Sequence, residues 1–368
     1  MRVMGIIFAN DVTVDALTQR RTMASLPFGG RYRQVDFHLS NLAAAGIQHV
    51  SIVSRSNYQS LMNHVGSGEE WGLDLSEGGL EFLTPYALGT ADNYRGKLEN
   101  LNAILEVLQF SDEEYVVLTD SSLLTNLDVK DIVRSHVASG KDITVVAKPG
   151  VANGKKVLDL AIKTEGDKIS DIVVGFPAPE GYLASMDLFV VGREWLIEKV
   201  QELVAHDKYH MDRDLVLGQW NEGKLTINIY EYTGVALYNE STAEYFSNSM
   251  ALLDKNVRDG LFNAHHPIFT KVRDQVPTYY GDNGCARNCL LADGCMIDGE
   301  AVDSVLFRQV CIAETAKVEN CIIMNNTKVG AGCELKYTIL DKDVTVTPGA
   351  KLVGTAANPI IIKRGETV

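Results

Sequence analysis

No cysteine occurs in the first 284 residues; all six lie between Cys285 and Cys333. Cys285 and Cys289 are four apart, no Cys-x-x-Cys pair is present, and no histidine follows His266. A zinc set is therefore excluded, and the cysteines read as compact apolar packing groups rather than disulfide partners. Long hydrophobic runs are missing too. The longest are strand-sized, such as Ile6-Ile7-Phe8 and Tyr115-Val116-Val117-Leu118, far short of the ~18 residues of a membrane span. The N-terminus lacks the basic, apolar, then small-residue order of a signal peptide, so the cytoplasm is the expected location. Positive charge is in deficit, with 34 Lys and Arg against 48 Asp and Glu and a formal net charge of −14. That balance argues against nucleic acid or an anionic membrane as partner. It accounts for solubility and leaves room for a local basic pocket.

What is present is an ordinary globular balance: 368 residues, 46% hydrophobic and 22% charged, enough for two domains. Arg2 to Phe8 reads as a buried strand. Val35 to Ala45 carries apolar residues at helical spacing (Val35, Leu39, Leu42, Ala43), with Gly46 as the stop and Val50 to Val53 as the next strand. Leu98 to Leu108 and Val129 to Ser135 read as further helices, leading into strands at Tyr115 to Leu118 and Ile143 to Ala147. This rhythm predicts an α/β fold with a doubly wound, mostly parallel, Rossmann-like sheet, whose ligands sit beyond the carboxyl ends of the strands.

Past residue 285 the period changes to six. Leu291 and Ile297, Ile312 and Val318, Val329 and Leu335, and Val346 and Leu352 are each six apart. Small residues (Cys295, Ala316, Cys333, Ala350) stand four positions after the first member of each pair. This is the hexapeptide pattern of a parallel β-helix, in which the aliphatic residue fills the coil and the small one sits at a sharp corner. The expected organisation is a first domain over 1–254, a linker over 255–284, and a β-helix over 285–368. His265-His266 reads as linker, Asp341-Lys342-Asp343 as a solvated corner, and Trp71 and Trp195 as packing groups. With no histidine in the coil region, a hexapeptide acyltransferase has no base to work with.

Several long stretches resemble the ADP-glucose pyrophosphorylase (glucose-1-phosphate adenylyltransferase) family. They are Leu26 to Asn41 (LPFGGRYRQVDFHLSN), His64 to Gly68 with Trp71, Leu73, Asp74 and Gly78-Gly79, and Gly89-Thr90-Ala91-Asp92. Leu183 to Met186 and Asp303 to Arg308 complete the set. The resemblance implies a nucleotidyltransferase domain of the GT-A-like kind followed by a left-handed β-helix. It also implies synthesis of ADP-glucose from ATP and glucose 1-phosphate, which needs a glycine-rich phosphate loop, Mg²⁺-binding carboxylates, and lysines and arginines on the phosphates. The chain departs from the family at each of these. The loop Phe8 to Val14 contains no glycine, and Asp11 would set a negative charge there. The metal acid of the strand-end motif falls on Ser121, or on Ser122 if matched from Asp128. Asp120 is the remaining candidate metal ligand, although a one-residue offset turns a strand-end side chain to the other face. The second metal acid falls on His210, a poor ligand for hard Mg²⁺. The sugar-phosphate lysine falls on Phe176, and the Trp-Arg-Asp turn on Ala236-Leu237-Tyr238.

The resemblance thus implies a regulatory, catalytically degenerate subunit, inactive alone and without a cofactor of its own. Mg²⁺ is expected only in a homologous catalytic subunit, its partner in a heterotetramer. Gly89, Thr90, Asp92 and Ser185 are the expected remnants of the substrate pocket. The place commonly held by an activator-linked lysine is Met23, yet Arg20, Arg21, Arg31 and Arg33 crowd that segment. Arg308 is implied to approach them in the interdomain groove, forming a site for a small phosphorylated effector. The competing reading is that these arginines pair with the chain's many acids. Two other functions stay open: an active sugar-phosphate nucleotidyltransferase with rearranged metal ligands, and a stand-alone sugar-phosphate sensor.

Overall fold

The structure, a computed structural model, describes residues 1–9, 15–84, 95–149, 158–166, 168–176 and 180–368. Two compact units are present: Met1–Asp11 with Phe37–Leu237, and Val12–Asp36 with Tyr238–Val368. This division differs from the one expected from sequence order. The stretch Val12–Asp36 belongs with the C-terminal part, and the 255–284 stretch expected as a linker contains a helix, Lys255–Leu261. Asp254 caps that helix by accepting from the Asn256 N–H at 2.7 Å.

The first unit is built on one mixed sheet. Its strands are β1 (Val3–Phe8), β2 (His49–Val53), β3 (Gly79–Leu83), β4 (Tyr115–Asp120), β5 (Ile143–Pro149), β6 (Leu158–Glu165), β7 (Lys168–Phe176), β8 (Leu183–Gly192) and β9 (Ile227–Glu231). The main path runs β7-β6-β8-β4-β1-β2-β3, and β5 pairs with both β8 and β9. β3, β2, β1 and β4 are parallel, as are β5 and β9. β8 runs antiparallel to β4, β5 and β6, so the sheet is less uniformly parallel than the strand–helix rhythm predicts. The helix α1 (Gln34–Ala44) ends at Gly46, whose φ of +78° closes the turn as expected. The amphipathic run after residue 96 is two helices, α2 (Lys97–Ala103) and α3 (Leu105–Phe110). They break at Ile104, where φ −110° and ψ 19° leave the helical region. Further on come α4 (Val129–Ser139) and α5 (Arg193–Val204).

One face of this sheet presents Met4, Ile6 and Phe8 of β1 and Val116 and Leu118 of β4. These pack with Leu98, Leu101 and Leu108 of α2 and α3 and with Leu196, Val200 and Leu203 of α5. The period-two alternation of β4 then places the Asp120 side chain on the same face as Leu118, towards α2. Thr119 points the other way and meets His38 of α1 at 3.1 Å. Burial pushes the His38 imidazole down to about 4, so this ring is neutral.

In the second unit the hexapeptides form three five-stranded parallel sheets, the left-handed β-helix expected from the six-residue period. Ile297, Ile312, Val318, Val329, Leu335 and Val346 fill its interior, with Cys295, Ala316 and Cys333 among them. The cysteines are all free thiols; Cys295, Cys321 and Cys333 are buried and Cys285 is exposed. On the third face the outward row Val305, Ile322 and Ile339 is in register and fully buried. Residues beside these strands meet other parts of the unit. Phe246 of α6 (Thr242–Ala251) meets Tyr337, and Arg21 meets Met324 and Asp341. The Tyr245 hydroxyl donates to the Pro27 carbonyl at 2.7 Å, tying α6 to the Val12–Asp36 segment. That segment is held in the second unit by these contacts and by the stacking of Tyr32 on Phe262.

Candidate functional site

In the first unit the chemistry-bearing residues gather at the carboxyl ends of β1 and β4, as the fold predicts. Ser121 follows β4, is buried, and donates its N–H to the Phe8 carbonyl at 3.0 Å. Its hydroxyl has no hydrogen-bond partner among the described residues. Asp120 is buried; one carboxylate oxygen accepts from the Ser122 N–H at 3.0 Å, the other lies 3.2 Å from Lys97 Nζ. Burial pushes the Asp120 carboxyl up, but the Lys97 ammonium and the Ser122 N–H outweigh it and hold the carboxyl below its ordinary value. Lys97 Nζ is also 3.7 Å from Asp187 and 5.8 Å from the centre of the Phe8 ring.

Asp187 reaches this place because β8 is irregular. Its pairing with β5 shifts register between Ser185 and Phe189, and Asp187 itself has a φ of +50°. The Ser185 hydroxyl accepts the Asp187 N–H at 3.2 Å, so the expected pocket residue Ser185 holds the bulge. Lys97 is fixed from the other side. The Leu98 N–H donates to the Tyr209 carbonyl at 3.1 Å, and a Cβ on Gly96 would lie 2.2 Å from that carbonyl oxygen. Only glycine allows α2 to start here. His210, next to Tyr209, is exposed, and its N–H donates to Asp214. Tyr238 is buried in the second unit, its carbonyl accepting from Asn248 at 2.6 Å. Gly89, Thr90, Asp92, the loop from Asn10 to Val14, and the Phe176 side chain lie outside the described residues.

The residues sequence reasoning missed are Lys97 and Asp187. The signal for Lys97 was the Gly96-Lys97 pair opening the amphipathic run after Gly-Thr-Ala-Asp. Nothing in sequence announces the bulge that turns Asp187 inward. Asp120 faces α2 because Leu118 does, on the side of β4 opposite to Thr119. A cavity of about 700 Å³ lies at the opposite, amino-terminal end of these strands. Beside it His49 bridges Glu81 at 3.1 Å and Glu113 at 3.2 Å, a cluster already satisfied internally. Among the described residues no three His, Cys, Asp or Glu side chains are grouped to hold a metal ion.

A second concentration of charge lies within the second unit. Arg21 is buried and forms a bidentate pair with Asp341, at 2.6 and 2.5 Å from Nη2. Arg21 and Arg364 lie close enough to Arg33 and Lys342 to lower the proton affinity of both. Burial, then Arg33 and Arg21, push the Lys342 ammonium down to about 6; burial, with Arg21, Arg273 and Arg364, pushes Arg33 down to about 10. The reading of Asp341-Lys342-Asp343 as a solvated corner is therefore corrected at Asp341, which is buried, while Lys342 is half-buried and Asp343 is exposed. Asp341 is sequestered because it answers Arg21, and its side chain accepts the Lys342 N–H at 2.7 Å. Arg31 and Arg308 form a neighbouring group with Arg273, and Arg308 lies 4.0 Å from Asp293. Arg308 is buried, with Nε and one terminal nitrogen lacking hydrogen-bond partners among the described residues. Arg20 is exposed. Of the five arginines expected at an effector site, Arg21 and Arg33 lie together and so do Arg31 and Arg308, and Arg273 is close to both Arg33 and Arg308. Lys342, Arg364 and Arg273 were not anticipated.

Residues 14–155 match the nucleotidyl transferase family, and residues 274–358 match the GlmU-like C-terminal hexapeptide family. The chain is similar to the glycogen biosynthesis protein GlgD of Bacillus subtilis (strain 168), with 31% identity over 95% of this chain and 91% of that protein. The chain belongs to the ADP-glucose pyrophosphorylase family. The GlgD of Geobacillus stearothermophilus is 32% identical over 99% of this chain and 96% of its own. A member named for activity, the glucose-1-phosphate adenylyltransferase of Pseudothermotoga lettingae, is 27% identical over 93% and 88%. For an ADP-glucose pyrophosphorylase the Mg²⁺ position is the test of fit. The resemblance sets Ser121 and His210 at the two family acids, and the buried carboxylates of Asp120 and Asp187 face an ammonium. These residues do not fit a divalent cation. No described helix is long and apolar enough to cross a membrane.

Proposed function

We propose that this chain is the regulatory, non-catalytic subunit of an ADP-glucose pyrophosphorylase, acting in glycogen synthesis by modulating a catalytic homologue. The observation that carries this reading is the pair of substitutions at the metal position. Ser121 is buried with an unengaged hydroxyl, and His210 is turned out to solvent. In-line transfer to the α-phosphate of ATP needs charge neutralisation at the transferring group, and neither side chain supplies it. The names of its GlgD relatives support the glycogen context.

The basic cluster of Arg33, Lys342, Arg364 and Arg273 supplies the regulatory half of the proposal. A phosphate or sulfate group there would relieve the repulsion among these cations and restore the Lys342 proton. Such binding is the effector site, with Arg21 as its structural anchor rather than a ligand. Effector binding then changes the partner's substrate affinity by linkage. The buried Asp120 and Asp187 favour one other reading, an active nucleotidyltransferase with rearranged ligands, which turnover by the lone chain would support.

Partnership is tested by co-expression with the catalytic homologue from the same source, followed by measurement of molecular mass. The expected result is a mixed oligomer, four subunits in all, that survives purification. Two separate homo-oligomers would contradict the proposal.

A further inference from the structure

Three elements converge on one point in the first unit. Strand β4 ends in the buried Asp120, the bulge in β8 turns Asp187 inward, and α2 opens on Lys97 with its ammonium 3.2 and 3.7 Å from the two carboxylates. The ammonium is mostly buried and is further held over the Phe8 ring. Gly96, pressed against the Tyr209 carbonyl, leaves the start of α2 no room to withdraw. The arrangement stands at the carboxyl ends of parallel strands, where an α/β sheet places its ligand. Two buried carboxylates there are the usual protein share of a Mg²⁺ or Mn²⁺ site, since such ions keep several waters and take one or two carboxylates.

We propose that Lys97 is a built-in cation, filling a place between Asp120 and Asp187 that a divalent ion would otherwise take and closing it to metal. The ammonium and a divalent ion cannot share the space: they repel at contact distance in a medium of low dielectric constant. The positive charge between these two carboxylates is then carried by the chain itself rather than by a metal. The closure is intrinsic to the fold and needs no effector. The inference deepens the non-catalytic reading above and rests on it.

The test is Mn²⁺ titration of the full-length chain, followed by electron paramagnetic resonance of the free ion. Wild type, Asp120→Asn, Lys97→Ala, Lys97→Gln and Lys97→Ala/Asp120→Asn are compared, with circular dichroism to confirm folding. Wild type is expected to show only the weak background of an acidic surface, unchanged by Asp120→Asn. Lys97→Ala is expected to gain one site at least about tenfold tighter than that background, lost again in the double variant. Lys97→Gln, which keeps more of the side chain's volume, guards against a collapsed cavity. Mn²⁺ bound by wild type through Asp120 would overturn the proposal. So would folded Lys97 variants that gain no site. A wild-type chain silent in catalysis yet binding Mn²⁺ through Asp120 would sink this inference alone, whereas turnover by the lone chain would sink the functional reading.

Discussion

Replacing Arg21 by alanine is expected to lower the melting midpoint of the β-helix unit by on the order of 10 °C. Both partners of the Arg21–Asp341 pair are almost wholly buried, with side-chain exposures of 5% and 4%. Removing the guanidinium leaves a carboxylate that cannot reach water, a loss of about 3–5 kcal/mol. At about 2–4 °C per kcal/mol for a unit of this size, that gives the stated shift. The pair itself contributes much less than its loss costs, because desolvation of both ions offsets most of their attraction. The double replacement Arg21→Met/Asp341→Leu is therefore expected to recover most of the deficit. The remainder is the Lys342 N–H, which loses its 2.7 Å acceptor on Asp341. Thermal denaturation of the three variants measures the coupling. If Arg21→Ala melts within 2 °C of wild type (about 1 kcal/mol or less), the segment Val12–Asp36 is not anchored as described.

Lys342 is expected to act in the opposite sense, removing stability while supplying binding. Its proton affinity is pushed from the ordinary lysine range to about 6 by burial and by Arg33 and Arg21. Between about pH 6 and the unfolded lysine value near 10.4, the unfolded chain holds a proton that the folded chain lacks, so stability rises with pH through that window. Below pH 6 the charged ammonium stands among arginines at full cost. Lys342→Met should therefore raise the melting midpoint at pH 7 by about 3 °C or more in anion-free buffer, with the gain shrinking towards pH 10. Binding runs the other way. Sulfate, whose charge is constant over this range, should bind at least about tenfold more tightly at pH 6 than at pH 8, because the bound anion stabilises the protonated form. Lys342→Met should weaken sulfate by roughly tenfold or more and abolish that pH dependence. Calorimetric titrations at the two pH values read both effects. Equal sulfate affinity at pH 6 and 8 in wild type would remove Lys342 from the effector site.

The two clusters show where sequence patterning is informative and where it stops. The six-residue period located the β-helix because each aliphatic residue occupies the interior of a coil, and Ile312, Val318, Val329 and Leu335 are all found there. Gly46 and the strands around it were legible for the same reason: local backbone geometry and one buried face determine them. The antiparallel β8 was not legible, because its side-chain alternation is the same whichever way it runs. The Val12–Asp36 segment was misplaced by reading domains as continuous stretches, when it is held by Tyr245, Phe28 and Arg21 against residues far along the chain. Ser121 and His210 could be named from sequence because a motif fixes their positions. Lys97 and Asp187 could not, since a helix start and a bulge set their directions, and neither leaves a fixed spacing. Lys342 looked like a solvated charge because its neighbours in sequence are acids, while its neighbours in space are arginines.

The measurement that tests the central claim most directly is pyrophosphate release from ATP and glucose 1-phosphate in the presence of Mg²⁺. The pure chain, the catalytic homologue and an equimolar mixture are assayed side by side. The chain alone is expected to be silent, and the mixture faster or more responsive to phosphorylated effectors than the homologue. Sustained turnover by the chain alone would mean that Asp120 and Asp187 hold a metal after all, and would contradict the regulatory reading outright.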